Sequence, residues 1–205
     1  MREFIYYSKH ARTTGNFDLT DLMKAGRMDI ACQIPIMAFF VSHHTRENVK
    51  LHLVFDGAPD PPKHLELFPG KNFSVETESK IDISKKDVGS LIKKMLYKYK
   101  RGEKNEMSPG YWIEKKSIEK LIEELQEAGK EIFIMEKSGE DIRKIKTEDL
   151  KNAVFLIGDQ DGIPKEKLKK LKKLGIKKIS VGQQMYFASQ TLTIIQNELD
   201  RREAN

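Results

Sequence analysis

The sequence predicts an α/β fold: a mostly parallel sheet with helices on both faces, formed as a single domain over the 205 residues. Three observations carry that prediction. Apolar runs of strand length, residues 132–135 (IFIM) and 154–159 (VFLIGD), alternate toward the C-terminus with amphipathic helical stretches. Helix followed by strand, repeated, calls for right-handed crossovers between parallel strands. Hydrophobic residues at 39% are ample for a core despite 33% charged residues, and no internal repeat, low-complexity tract or break in composition divides the chain.

Taken in order, residues 3–7 (EFIYY) are strand-like, and a polar loop follows. The chain turns through Gly26 into an apolar run, residues 30–41, that predicts a buried helix kinked near Pro35. Residues 42–48 (SHHTREN) form a polar loop, and residues 49–55 (VKLHLVF) alternate as a strand with one face in water should. A proline-rich turn, residues 56–62 (DGAPDPP), ends that strand. Short strand-like pieces follow at residues 64–68 and 73–75.

Ser84 with Asp87 predicts a capping box for a helix whose apolar stripe is Val88, Leu91, Ile92, Met95, Leu96 and Tyr99. Residues 102–110 are expected as loop and residues 111–113 (YWI) as a short extended piece. A second amphipathic helix, with Ile118, Leu121, Ile122 and Leu125, stops at Gly129. The strand at 132–135 runs into a turn at 137–141 (KSGED). Pro164 opens a lysine-rich helix with Leu168, Leu171 and Leu174 inside. A strand at 177–180, a polar turn at 181–184 and a closing helix from about residue 185 to 202 complete the chain.

Composition sets limits on function. The one cysteine, Cys32, excludes an internal disulfide and a cysteine-built zinc site, and it reads as an inert core thiol. Adjacent His43 and His44 lack a helical carboxylate or histidine partner, so no metal is expected. No apolar run approaches the length that crosses a bilayer and no signal segment is evident, so the chain is expected to be cytoplasmic, with no membrane partner. The net charge of +6 favours contact with a polyanion. Its location is more informative: Lys165, Lys167, Lys169, Lys170, Lys172, Lys173, Lys177 and Lys178 crowd one stretch, either a solvated face or a phosphate-binding one.

In open α/β sheets ligands sit beyond the carboxyl ends of the strands, which directs attention to Gly158 and to the turn after Ser180. Gly158 and Gly162 form neither a P-loop nor a dinucleotide turn, and Asp159 and Asp161 would repel phosphate. A ligand with hydroxyls, an adenine and a positive centre suits this loop; a plain strand-end turn is the other reading. Arg27 and Asp29 also have two readings. They are a helix-start pair, or Arg27 holds an RNA phosphate or base while Asp29 fixes it or touches substrate.

The ordered set AGRMD (25–29), SH (42–43), G-x-P-x-PP (57–62), PG-Y (109–111), GED (139–141), IGD-x-x-G (157–162) and the terminal LDR resembles the archaeal tRNA (pseudouridine-54, N1) methyltransferases, of the SPOUT class, over essentially the whole chain. The resemblance implies a C-terminal trefoil knot, a homodimer, tRNA as partner, and S-adenosyl-L-methionine (SAM) bound in the knot loops. By position it assigns the cofactor to Met135, Gly158, Ile179, Ser180, Val181, Gly182, Gln183, Gln184 and Thr191, and catalysis to Arg27 and Asp29. The chain departs from the family pattern at Gly182-Gln183-Gln184, where a Ser-Pro-Leu-type turn is usual, and at Thr191, where a cysteine is usual. Those departures keep two alternatives open: a related enzyme acting on ribosomal RNA or another RNA base, and a non-catalytic RNA-binding homologue.

Overall fold

The computed structural model describes residues 1–42, 44–70 and 83–204. Among these residues, ten strands and six α-helices follow in the order β1 (Arg2–Ser8), α1 (Met28–Phe39), β2 (Phe40–Val41), β3 (His44–Thr45), β4 (Val49–Phe55), β5 (Lys63–Leu67), α2 (Lys85–Lys98), β6 (Asn105–Ser108), β7 (Tyr111–Glu114), α3 (Ile118–Glu127), β8 (Glu131–Asp141), α4 (Thr147–Leu150), β9 (Ala153–Gly158), α5 (Lys165–Lys173), β10 (Lys177–Ser180) and α6 (Ala188–Glu203). Eight strands form one sheet, in the order β10-β8-β9-β1-β4-β5-β7-β6. The pairings from β10 to β4 are parallel. Beyond β4 the sheet is extended by antiparallel β5, β7 and β6. Helices cover both faces, as the alternation of strands and helices requires.

The period-2 geometry of the strands sorts their side chains between two cores. Phe4 and Tyr6 of β1, Leu51, Leu53 and Phe55 of β4, and Phe155 and Ile157 of β9 pack with the buried sides of α1, α2 and α6. On the opposite face Ile5, Tyr7, Val54, Ile132, Ile134, Val154 and Leu156 pack with α3 and with Leu171 of α5. Cys32 lies in the first core with its thiol pushed up to about 12 by burial, which makes it inert at neutral pH.

Several expectations are corrected. The alternation in β4 suggested one wet face, yet the strand is central and nearly all of it is buried, because its polar His52 faces other polar side chains rather than water. The polar loop at 42–48 holds half of a two-stranded hairpin, β2 with β3. The loop expected at 102–110 contains β6, which β7 recruits as an edge. The strand-like piece at 73–75 lies outside the described residues. The helix of residues 30–41 is shifted to Met28–Phe39 with Pro35 inside it, and Pro164 caps α5 rather than starting it. The closing helix begins at Ala188, so residues 185–187 are an exposed connection.

The correction with most consequence concerns β8. The expected turn at 137–141 instead carries the strand onward. β10 pairs first with Phe133 and Ile134 and then, without a break in its own chain, with Glu140 and Asp141. Residues 135–139 are therefore extruded from the ladder as a detour. Gly139 brings it back: a Cβ built there would lie 2.5 Å from the backbone N and C of Ile179, so only a residue without a side chain permits this approach.

Helix α6 is fastened to β1 and α1 by buried polar contacts. Arg2 donates to Gln196 Oε1 at 2.6 Å and pairs with Asp200 at 2.7 Å and Glu203 at 2.8 Å, Arg46 makes a two-pronged contact with Asp200, and Gln196 donates to the Ala38 carbonyl at 3.1 Å. Asp200 belongs to the terminal LDR motif, which thus serves to lock this helix in place.

A cleft at the carboxyl ends of the parallel strands

The parallel strands β8, β9 and β10 end together, and beyond their ends opens a cleft of about 1250 Å³. Three loops build one wall: the β8 detour, the turn from Gly158 to Ile163 after β9, and the segment from Ser180 into the first turn of α6. The start of α1 and the first residue of α2 also line the cleft. This is the crevice position expected of a ligand site on such a sheet.

The structure brings together most of the residues singled out in the sequence. Met135, Gly158, Ser180, Val181, Gly182, Gln183, Gln184 and Thr191 all border the cleft, together with Arg27 and Asp29. Ile179 does not: its side chain is buried in the core and its backbone braces Gly139, so it supports the wall without forming it. Thr191 lies in the first turn of α6, and its N–H donates to the Phe187 carbonyl at 2.9 Å. The turn after β10 is closed locally: the Ser180 hydroxyl donates to the Gly182 carbonyl at 2.9 Å and accepts from the Gly182 N–H at 3.1 Å.

Arg27 and Asp29 combine both readings open to them. Asp29 sits in the first turn of α1, favourable for an anion. Arg27 clamps it with two parallel contacts, Nε to Oδ1 at 3.0 Å and Nη2 to Oδ2 at 3.1 Å. The paired guanidinium holds the Asp29 carboxyl below the usual carboxylate range, and Asp29 in turn raises Arg27. Arg27 also has φ 61°, the left-handed region, and among described residues it is the non-glycine that adopts it. Such a conformation costs roughly 1–3 kcal/mol and persists where the surroundings impose it, often at functional sites.

Acidic groups on the strand-end loops have distinct duties. Asp159 is buried and spends its carboxylate on the fold, accepting from the Ser8 hydroxyl at 3.0 Å and from the amides of Lys9 and Asp161. Asp161 stays at the rim, 2.9 Å from His10 Nε2. Glu136, on the detour, pairs with Lys178. The cleft therefore presents backbone, amide and carboxylate groups, with Arg27, Lys85 and Lys137 as cations, around apolar side chains that include Ile134, Ile157 and Val181. The neutral, apolar and hydrogen-bonding parts of an adenosine suit that mixed lining.

Sequence reasoning missed Gln33, Lys85 and Glu136 as cleft residues. Gln33 had a usable signal, since it lies four residues after Asp29 on the same helix face. Lys85 had none: it arrives from a helix more than fifty residues downstream, and its charge also acts on Asp29.

Residues 1–204 match the family described as "Putative SAM-dependent RNA methyltransferase". The chain belongs to this family. Within it, the chain is 35% identical over 202 residues to a Methanococcoides burtonii protein named tRNA (pseudouridine(54)-N(1))-methyltransferase, covering 98% of this chain and 96% of that one. A Methanocaldococcus jannaschii protein of the same name is 32% identical over 209 residues, covering 98% of each. Among solved structures, Archaeoglobus fulgidus Nep1 bound to S-adenosylhomocysteine shares the fold with a TM-score of 0.62 at 13% identity, covering 100% of this chain and 99% of that one. Membership makes this chain a SAM-dependent RNA methyltransferase, and its fold is the one shared with Nep1.

Proposed function

We propose that this methyltransferase acts on N1 of pseudouridine-54 in tRNA, as a cytoplasmic homodimer of single-domain protomers, with SAM held in the carboxyl-end cleft. One observation carries the reading: Asp29, clamped by Arg27, borders the same cleft as the three strand-end loops, in a chain similar along its length to relatives named for that reaction. Met135, Gly158, Ser180, Val181, Gly182, Gln183, Gln184 and Thr191 would hold the cofactor, with Ile179 behind them. The cofactor, when bound, supplies a methyl group activated by a sulfonium centre.

The chain's own residues then have two tasks. N1 of pseudouridine carries a hydrogen because the base is joined to ribose through carbon, and that hydrogen must leave as the methyl group arrives. Asp29, held ionised, accepts a hydrogen bond from N1–H, orients the base and draws the proton off. Arg27 opposes the negative charge that develops on the ring. Holding both reactants in one cleft supplies much of the acceleration.

The exposed lysines of α5, Lys169, Lys170, Lys172 and Lys173, suit the tRNA backbone. Met185 and Phe187 are 80% and 72% exposed beside the cleft, with Tyr186 between them, a run of apolar side chains that a second copy of the chain would cover. No helix of the described residues is long and apolar enough to cross a membrane.

The test is methylation of tRNA and ribosomal RNA transcripts, each with and without pseudouridine, read by mass spectrometry of the nucleosides. The expected product is N1-methylpseudouridine at position 54 of the pseudouridine-containing tRNA alone. Equal transfer to the ribosomal transcript, or to uridine, overturns the assignment.

A further inference from the structure

On the opposite side of β1 from the cofactor loops, four adjacent strands place a line of polar side chains on one sheet face. Glu3 of β1 contacts His52 Nε2 at 2.9 Å, His52 Nδ1 contacts His64 Nε2 at 2.9 Å, and His64 Nδ1 contacts Glu114 of β7 at 3.1 Å. Lys130 and Lys116 close the two ends on Glu3 and Glu114, at 2.7 and 2.8 Å. Both histidine side chains and Glu3 are at most 2% exposed. Nothing in the methyl-transfer reading uses this cluster.

The geometry makes it unusual. Glu3 lies against Lys130 and His52, and Glu114 against Lys116 and His64, so each carboxylate accepts from its lysine and takes the outward N–H of its imidazole. The two inward nitrogens are left facing each other at 2.9 Å, and each presents a lone pair unless an electron-pair acceptor lies between them. A third donor faces the same point: a Glu66 carboxylate oxygen is 3.9 Å from His52 Nδ1. Ligand atoms of His52, His64 and Glu66 all lie within 4.8 Å of one another.

We propose that His52, His64 and Glu66 form a binding site for one divalent transition metal ion of the zinc class. Two imidazoles and one carboxylate are a suitable donor set, and a carboxylate behind each imidazole is the usual supporting arrangement. With metal–nitrogen distances of about 2.05 Å, an N···N separation of 2.9 Å corresponds to an angle of about 90° at the metal, and opening to roughly 3.3 Å gives a tetrahedral one. The rings need move only a few tenths of an ångström. Lys50 and Lys104, 3.9 and 3.5 Å from Glu66, are the cations the metal would displace, and both reach solvent. The ion would tie β4 to β5 and leave the methyl-transfer cleft untouched.

None of these three ligands has metal-like spacing in the sequence, and the adjacent pair weighed there, His43 and His44, is not among them. The test is a Co²⁺ titration of full-length protein stripped with chelator, with Zn²⁺ as competitor. Expected are one equivalent of cobalt giving intense visible bands of a low-coordinate site, displacement by Zn²⁺, and a Zn²⁺-dependent rise in Tm of several degrees. Glu66→Gln, at a partly exposed position that keeps the fold, should weaken cobalt binding at least ~10-fold, and His64→Gln should abolish it. Absence of the bands in folded wild-type protein overturns the proposal, and a shared proton then bridges the histidines. Cobalt affinity unchanged in Glu66→Gln overturns it as well, whether or not His64→Gln folds.

Discussion

Replacing Gly139 with alanine tests whether the β8 detour, and not the turn sequence alone, shapes the cleft proposed to hold SAM. The added methyl would stand 2.5 Å from both the N and C of Ile179 and 2.6 Å from its Cα. Ordinary carbon contacts are about 3.5–4.0 Å, so the two backbones must part by roughly 1 Å. Neither is a side chain that can rotate away. Moving β10 outward strains its pairing with β8 and lifts Ile179 from the core. Overpacking typically costs about 1–3 kcal/mol, and a backbone-on-backbone collision belongs at the upper end. For a chain of this size about 3 kcal/mol lowers Tm by roughly 6–12 °C.

The same shift displaces Ser180 to Gln184, so the dissociation constant for SAM, measured by calorimetry, should rise ~10-fold or more. Gly129→Ala is the control. Gly129 has φ +77° with nothing within 4 Å of the added methyl, so it should lose about 1–2 kcal/mol from strain alone and bind cofactor normally. A Gly139→Ala protein with the parent's Tm and affinity would refute the argument. So would equal loss of binding in the control.

Three further outcomes are expected. Asp29→Asn removes the clamp's anion but keeps its shape: turnover should fall ~10²-fold or more with cofactor affinity within about twofold, and full turnover in single-turnover assays removes Asp29 from proton transfer. The Lys169→Glu/Lys173→Glu double variant should bind tRNA more weakly, and the slope of log affinity against log salt should flatten by about 1–2, with cofactor binding intact; an unchanged slope marks a merely solvated face. In chelator-treated protein the depressed carboxyls of Glu3 and Glu114 add stability that is present above the ordinary glutamate value and lost as pH falls toward about 2. Melting temperature should therefore drop between pH 5 and 2, less steeply in Glu114→Gln, and parallel curves for the two proteins would exclude that origin.

Local chemistry made much of this structure legible. The Ser84–Asp87 capping box forms as its spacing requires, the apolar stripe of α2 is buried at Val88, Ile92, Met95 and Leu96, and Gly129 follows α3 with a positive φ. These features depend on neighbours within a few residues. Features that failed depend on distant partners. KSGED has the composition of a turn, and only its pairing with β10, some forty residues on, makes it strand. His52 alternates as a solvent-facing residue would, and becomes interior because Glu3 and His64 arrive from other strands to satisfy it. Most of the residues given by the ordered motifs border one cleft, whereas Lys85 and Glu136 lie between motifs and carry no local mark.

The family motifs themselves divide into those that touch the cleft and those that hold it open. Arg27, Asp29, Gly158 and Gly162 border it. Asp200 of LDR instead binds Arg2 and Arg46 and so sets where α6, with Thr191 in its first turn, meets the strand ends. Gly139 of GED sets how near the detour lies to β10. A substitution in the second group alters cofactor binding only through stability and position, and Tm and affinity should fall together. One in the first group can separate them, because Asp29 borders the cleft from the first turn of α1 without bearing the sheet's packing. The correlation of those two measurements across variants, more than the loss of activity in any of them, distinguishes the residues that act on the substrate from those that place them.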